Sequence, residues 1–184
     1  MKKVLIVHGF QGSPNGGWRS WLMGELSKQD IYAYALSMPS PESPVLNEWL
    51  EELSRAVVIN KNDELYLVGH SLGVVTILRY LEKTHAEYIQ GAVLVSGPCQ
   101  KNNNRKIDGF LETPFNFEVI KSKCKDFCII HGDNDSHVPL HDAEILSQEL
   151  NAELIVVKNG GHLNGGAGWV TLPECLEALR KMIN

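Results

Sequence analysis

One stretch of this chain gathers residue types that carbonyl chemistry needs. Leu65-Tyr66-Leu67-Val68-Gly69-His70-Ser71-Leu72-Gly73-Val74-Val75 places a serine at the centre of G-x-S-x-G. Leu65 to Val68 is a short apolar run after Asn62-Asp63, the pattern of a buried parallel strand. Val74, Val75, Ile77, Leu78 and Leu81 follow at helical spacing. A sharp strand-to-helix turn holds its central residue in a strained backbone conformation and pushes the side chain above the sheet. Glycines on either side let strand and helix approach closely. The helix end behind the serine supplies free N–H groups and a positive dipole end. A plain Gly-Ser turn in an ordinary strand–helix connection is the competing reading.

A serine hydroxyl is a weak nucleophile at neutral pH, so it needs a base in reach and a group that orients the base. Histidine suits the first role because its ordinary pKa is about 6.5. A carboxylate suits the second, since it fixes one imidazole tautomer and stabilises the imidazolium. His162 follows Gly160-Gly161 after an apolar run and is the expected base. Asp133 and Asp135 compete for the third role. Asp135 is preferred because it stands three residues before Val138-Pro139. Asp133 then makes a turn contact to backbone N–H groups. The order Ser71, Asp135, His162 is that of the α/β hydrolases. An oxyanion would be held by the N–H of Leu72, directly after the serine, and by that of Phe10 in the loop after the first strand. His8 and His70 are expected to be packed rather than reactive.

These groups must be carried by regular elements. Strands are expected over Lys2 to Val7, Ile31 to Leu36, Leu65 to Val68, Ala92 to Val95, Phe127 to Ile130 and Glu153 to Val157. Helices are expected over Trp18 to Lys28, Asn47 to Ile59 with Asn47 as cap, a stretch from Val74, Asp142 to Leu150, and Pro173 to Ile183. Residues 99 to 125 are the least regular, with Lys101 to Lys106 read as a polar loop. Alternating strands and helices predict one α/β domain over residues 1–184, a six-stranded, mostly parallel sheet with helices on both faces. Ligands in such sheets bind beyond the carboxyl ends of the strands. His8-Gly9-Phe10, Ser71, Asp135 and His162 each lie just after such an end.

Composition narrows the function further. The chain has 184 residues, a formal net charge of −5 and no basic cluster longer than Lys2-Lys3. That argues against a nucleic-acid or anionic-membrane partner. No apolar run reaches the length of a membrane span, and Val4 to Val7 is too short for a signal-peptide core. The reading is a soluble, cytoplasmic protein. Cys99, Cys124, Cys128 and Cys175 form no C-x-x-C pair and read as reduced and structural. His131, His137 and His141 with Asp133, Asp135 and Asp142 match no H-E-x-x-H or EF-hand order. No metal and no cofactor are expected. Gly160-Gly161 and Gly165-Gly166 lack the Lys-Ser/Thr pair of a phosphate loop. Among the aromatics, Trp18 and Phe110 are the expected substrate contacts.

With these residues in view, the chain resembles the small serine hydrolases that include retinoblastoma-binding protein nine and its bacterial relatives. The resemblance runs nearly end to end. It rests on His8-Gly9-Phe10, Trp18 with Trp21, Met38-Pro39, Glu48-Trp49-Leu50, Gly69-His70-Ser71-Leu72-Gly73, Val95-Ser96-Gly97, Asp135 before Val138-Pro139, and Gly161-His162. It implies a reduced α/β-hydrolase fold without a large lid, and nucleophile, acid and base at Ser71, Asp135 and His162. Gly17 stands where relatives often place a histidine, and the pocket-protein pattern L-x-C-x-E is absent around Cys175. The expectation is a serine hydrolase acting on small acyl compounds without a cofactor. Its rivals are a binding protein on a hydrolase scaffold and an amidase or aminopeptidase-like enzyme.

Overall fold

The computed structural model describes residues 1–84, 88–101 and 104–184. The strands are β1 (Lys2–Val7), β2 (Tyr32–Ala35), β3 (Glu64–His70), β4 (Gly91–Val95), β5 (Phe127–Gly132) and β6 (Glu153–Val157). They form one sheet in the order β2-β1-β3-β4-β5-β6. Every described strand pair is parallel. The helices are α1 (Arg19–Ser27), α2 (Leu46–Ala56), α3 (Leu72–Lys83), α4 (Phe117–Lys123), α5 (Leu140–Leu150) and α6 (Pro173–Ile183). This is the reduced α/β-hydrolase arrangement.

Successive strand residues point to opposite faces, so each strand feeds two cores. Leu5, Val7, Leu65, Leu67, Ala92, Leu94, Phe127 and Ile129 pack with α2, α3 and α5 residues such as Trp49, Leu53, Val75, Leu78 and Leu146. Val4, Ile6, Tyr66, Val68, Val93, Val95, Cys128 and Ile130 pack with Leu22 and Leu26 of α1 and Leu176 and Leu179 of α6. Burial on both faces explains why β3, β4 and β5 read as unbroken apolar runs.

Several element ends differ from the sequence reading. Asn47 does not cap α2. The helix starts one residue earlier, behind the extended Val45, and ends at Ala56, so Val57 to Ile59 lie outside it. Trp18 is the residue before α1 rather than its first turn. α5 begins at Leu140, because the extended Pro139 sets its entry. Between β4 and β5 the chain makes a 3-10 turn over Arg105–Phe110 and then α4. Of the expected Lys101 to Lys106 loop, residues 102 and 103 lie outside the described residues, and Arg105 and Lys106 open the turn.

This segment is clasped to α3 by Arg79. Its Nε donates to Phe110 O at 3.0 Å, and its terminal nitrogens reach Thr113 O, Pro114 O and Glu82. The Phe115 ring lies 3.9 Å from the guanidinium carbon. Among the described residues, no helix is long and apolar enough to cross a membrane.

Candidate active site

The turn from β3 into α3 places Ser71 at φ 55°, ψ −119°, a conformation that costs a non-glycine residue free energy. Neighbouring bonds hold it there. Ser71 N donates to Val95 O at 2.8 Å, and Val74 N donates to Ser71 O at 3.0 Å. The flanking glycines are steric necessities. A Cβ at Gly69 would stand 2.8 Å from Val74 N, and one at Gly73 would stand 2.1 Å from Val7 O. The end of β1 therefore runs directly against the start of α3.

That contact positions the loop after β1. The Gly9 carbonyl accepts from Gly12 N at 3.0 Å and from His8 Nδ1 at 2.8 Å. In a trans peptide the next N–H points the opposite way, so the Phe10 N–H is turned away from this bonded side. A Cβ at Gly9 would lie 2.7 Å from Ser71 Cβ, so the same peptide abuts the serine. Leu72 is the first residue of α3, and its N–H has no partner within the helix. Leu72 directly follows Ser71, and Phe10 lines the same cavities as the serine. His8 spends its Nδ1–H on Gly9 O and accepts from Met38 N at Nε2, 3.2 Å away. Both ring nitrogens are occupied, and burial pushes its pKa down.

His162 Nδ1 lies 2.7 Å from Asp135 Oδ2. The other carboxylate oxygen accepts from the N–H groups of His137 (2.8 Å) and Val138 (3.1 Å). Burial pushes the Asp135 carboxyl up, but the hydrogen bond and charge of His162 and the two N–H groups outweigh it, and the net shift is downward. The carboxylate is therefore ionised at neutral pH. It can only accept, so His162 Nδ1 is the donor of that bond. Ser71, Asp135 and His162 share the wall of one open cavity of about 1010 Å³.

The loop that carries His162 is tied from several sides, and most of these ties are invisible in the sequence. Asp133 accepts from Asn159 N at 2.7 Å, and Asn134 Oδ1 accepts from Gly161 N at 2.7 Å. Gly132 approaches so closely that its Cβ would stand 2.2 Å from Gly161 O. His70 Nε2 donates to His162 O at 2.9 Å. Burial, and then the charge of His162, push the His70 pKa down to about 3, so this neighbour of the serine stays neutral. His137 stacks on the His162 ring with centroids 4.8 Å apart. His131 Nε2 donates to Val138 O at 3.0 Å and closes the Asp135 loop.

Two expected substrate contacts are corrected. Trp18 is wholly buried, and its indole N–H donates to Leu163 O at 2.8 Å, beneath the His162 loop. Phe110 is 1 % exposed and packs edge-on against Trp49. An aromatic near a site in sequence is drawn into the core when its own backbone turns inward. Neither lines a cavity beside Ser71.

Of the histidines and aspartates considered for a metal, the structure gathers only Asp135 and His137, with His162 as third member. His141 pairs with Glu144, while Asp133 and Asp142 hold backbone N–H groups. The four cysteines are free thiols, and burial pushes the pKa of each upward, which disfavours the thiolate.

The family described as serine hydrolase matches residues 4–181. YdeN of Bacillus subtilis (strain 168) is 33% identical over 180 residues, covering 97% of this chain and 94% of that protein. Its crystal structure superposes with a TM-score of 0.94 over 100% of this chain and 99% of that one. Serine hydrolase RBBP9 of Rattus norvegicus is 26% identical over 165 residues, covering 87% of this chain and 86% of its own. Est1E of Butyrivibrio proteoclasticus, solved with ferulic acid bound, shares the fold at a TM-score of 0.77 and 16% identity, over 100% of this chain and 90% of that one.

Proposed function

Because the chain belongs to the serine hydrolase family, we propose that it cleaves small carboxylic esters or related acyl compounds through an acyl-enzyme on Ser71. The observation that carries this reading is the 2.7 Å bond from His162 Nδ1 to Asp135, on a wall shared with a serine in a strained strand-to-helix turn. Ser71 Oγ attacks the carbonyl carbon, and His162 Nε2 takes its proton. The tetrahedral oxyanion is held by the N–H groups of Phe10 and Leu72. As that intermediate collapses, the C–O bond to the alcohol breaks and His162 returns the proton to the leaving oxygen. Water, deprotonated by the same nitrogen, then attacks the acyl carbon and frees Ser71. Asp135 stays ionised throughout and stabilises the imidazolium.

The expected substrates are short or compact. The walls of the larger cavity mix Phe10, Pro98, Ile107, Val138 and Pro139 with Gln100, Lys101, Asn104, Ser136, His137 and His141, so polar groups interrupt the apolar surface open to a long acyl chain. Asp142 also lines it, and its Oδ2 accepts from Cys99 N at 2.8 Å, which fixes the carboxylate at the cavity wall.

A fluorophosphonate probe tests the proposal. Wild-type protein should be labelled on Ser71 alone, and Ser71→Ala should lose both labelling and ester turnover while keeping its melting temperature. Labelling that persists in Ser71→Ala would rule the nucleophile out. A p-nitrophenyl ester series should peak near acetyl to butyryl, and a steady rise to the longest soluble ester would overturn the size preference.

A further inference from the structure

A second cavity, of about 480 Å³, also reaches Ser71 and His162. It opens on the other side of the Phe10 loop and ends against the start of α1. Its walls include Gly9, Gly12, Gly16, Gly17, Gly165 and Gly166. Among the described residues, no aspartate, glutamate or lysine lines it. One arginine does, Arg19.

Arg19 is 5 % exposed. Its Nε donates to Ser13 O at 2.9 Å. Among the described residues, its two terminal nitrogens donate to nothing, and no carboxylate lies within ion-pair distance. Neither nitrogen is sealed from open space, since neither counts among the fully enclosed unpaired polar atoms. The other deeply buried arginine, Arg79, shows what a satisfied site looks like, with three carbonyls and Glu82 around it. A guanidinium buried without a counter-ion is costly, and the cost falls when an anion joins it. Burial lowers the Arg19 pKa only to about 10, so the group is cationic at neutral pH. Gly16 keeps the space that the guanidinium uses, because a Cβ there would stand 2.6 Å from Nη2.

The helix end adds to this field. Arg19 is the first residue of α1, no side chain caps that end, and no acidic residue stands in its first turn. His8 and His70, nearby, are held neutral by burial and by the Arg19 charge itself. The cavity is therefore positive, and nothing in its described walls neutralises it.

We propose that Arg19 and the amino end of α1 form an anion subsite that selects acyl substrates bearing a carboxylate. The proposal rests on the ester-hydrolase reading above. A carboxylate fits better than a phosphate. The planar guanidinium offers two terminal N–H edges to a planar anion of single charge. A phosphate dianion would call for a second cation, and the lining holds none.

Matched esters test this. On the acyl side, mono-p-nitrophenyl glutarate is compared with p-nitrophenyl pentanoate. On the alcohol side, 4-acetoxybenzoate is compared with phenyl acetate. At low salt the wild-type enzyme should favour the charged member of one pair, by roughly 10- to 100-fold in kcat/KM. Arg19→Met should collapse that ratio toward one, Arg19→Lys should keep part of it, and Gly16→Ala should reduce it by displacing Nη2. A wild-type ratio at or below one in both pairs overturns the subsite, whether or not the variants fold. A binding measurement separates this inference from the reaction. Ser71→Ala, titrated calorimetrically, should bind glutarate monoethyl ester more tightly than ethyl pentanoate by a similar factor, and Ser71→Ala/Arg19→Met should lose the difference. Carboxylate binding without any ester turnover supports the subsite and refutes the ester reading. Turnover of neutral esters with equal binding of the two ligands refutes the subsite alone.

Discussion

Gly73→Ala probes the joint between β1 and α3. The new methyl carbon would stand 2.1 Å from Val7 O and 2.8 Å from His8 O. Carbon and carbonyl oxygen meet comfortably at about 3.3 Å. The two elements must therefore part by about 1.2 Å. Both obstacles are backbone atoms, so no rotamer change relieves the clash. Overpacking of this kind costs about 3 kcal/mol, which lowers the melting temperature by roughly 6–12 °C for a chain of this size. The displaced segment leads into Gly9 and Phe10, beside Ser71. A misplacement near 1 Å costs about 10²-fold in turnover. Gly24→Ala supplies the control. Gly24 lies on the exposed face of α1, and a Cβ there would meet nothing within 4 Å, so alanine should add about 0.5–1 kcal/mol of stability. Thermal melts and the rate of fluorophosphonate labelling read both variants. If Gly73→Ala melts and labels like the native protein, the steric account of the turn is wrong.

Three further outcomes follow from named contacts. Asp135→Asn should lose about 10⁴-fold in kcat, because an amide at that place supports the wrong tautomer of His162, whereas Asp133→Asn should cost about 1 kcal/mol of stability through its single bond to Asn159 N; kinetics showing the larger catalytic loss at Asp133 would reverse the roles. His70 has a folded pKa of about 3, well below the ordinary histidine value. Between that value and about 6.5 only the unfolded chain binds this proton, so stability is complete above 6.5 and falls by about 1.4 kcal/mol for each pH unit below it. His8 and Asp135, both shifted downward, act in the same direction, Asp135 at lower pH. Urea midpoints at several pH values should show a shallower slope in His70→Gln, which keeps a donor for His162 O but does not titrate; an unchanged slope would contradict this. Arg79→Met strips the clasp from Phe110, Thr113 and Pro114 and should cost about 3–5 kcal/mol, with proteolysis appearing first near that segment. A melt unaffected by the change would mean the clasp carries no stability.

The sheet and its site-bearing ends are legible in the sequence because their signals are local. Apolar runs bounded by glycine and polar residues mark β3, β4 and β5, and one turn pattern marks Ser71. The order of polar groups after strand ends brings Asp135 and His162 within 2.7 Å in the folded chain. What the sequence hides is side-chain direction. Trp18 and Phe110 look like pocket residues from their neighbourhood, yet each is turned into a core by the backbone that carries it. Arg19 carries no local signal of burial, and it lies buried at a cavity that the Gly16-Gly17 and Gly165-Gly166 loops also line. His70, His131 and Asn134 bond to backbone far away in the chain or across a loop, and no periodicity encodes such partners.

The sheet order also sets how the site comes apart. Ser71 follows β3, which lies between β1 and β4, whereas His162 follows β6, which closes the sheet at one side and pairs with β5 alone. Opening free energies are lowest where an element has fewest neighbours. Ser71, the proposed nucleophile, is thus expected in the most persistent part of the molecule, and His162, its proposed base, beside a strand that should open earlier. Under mild denaturant or heat, hydrolysis should cease while the central strands stay protected from hydrogen exchange, and it should return as soon as β6 re-docks.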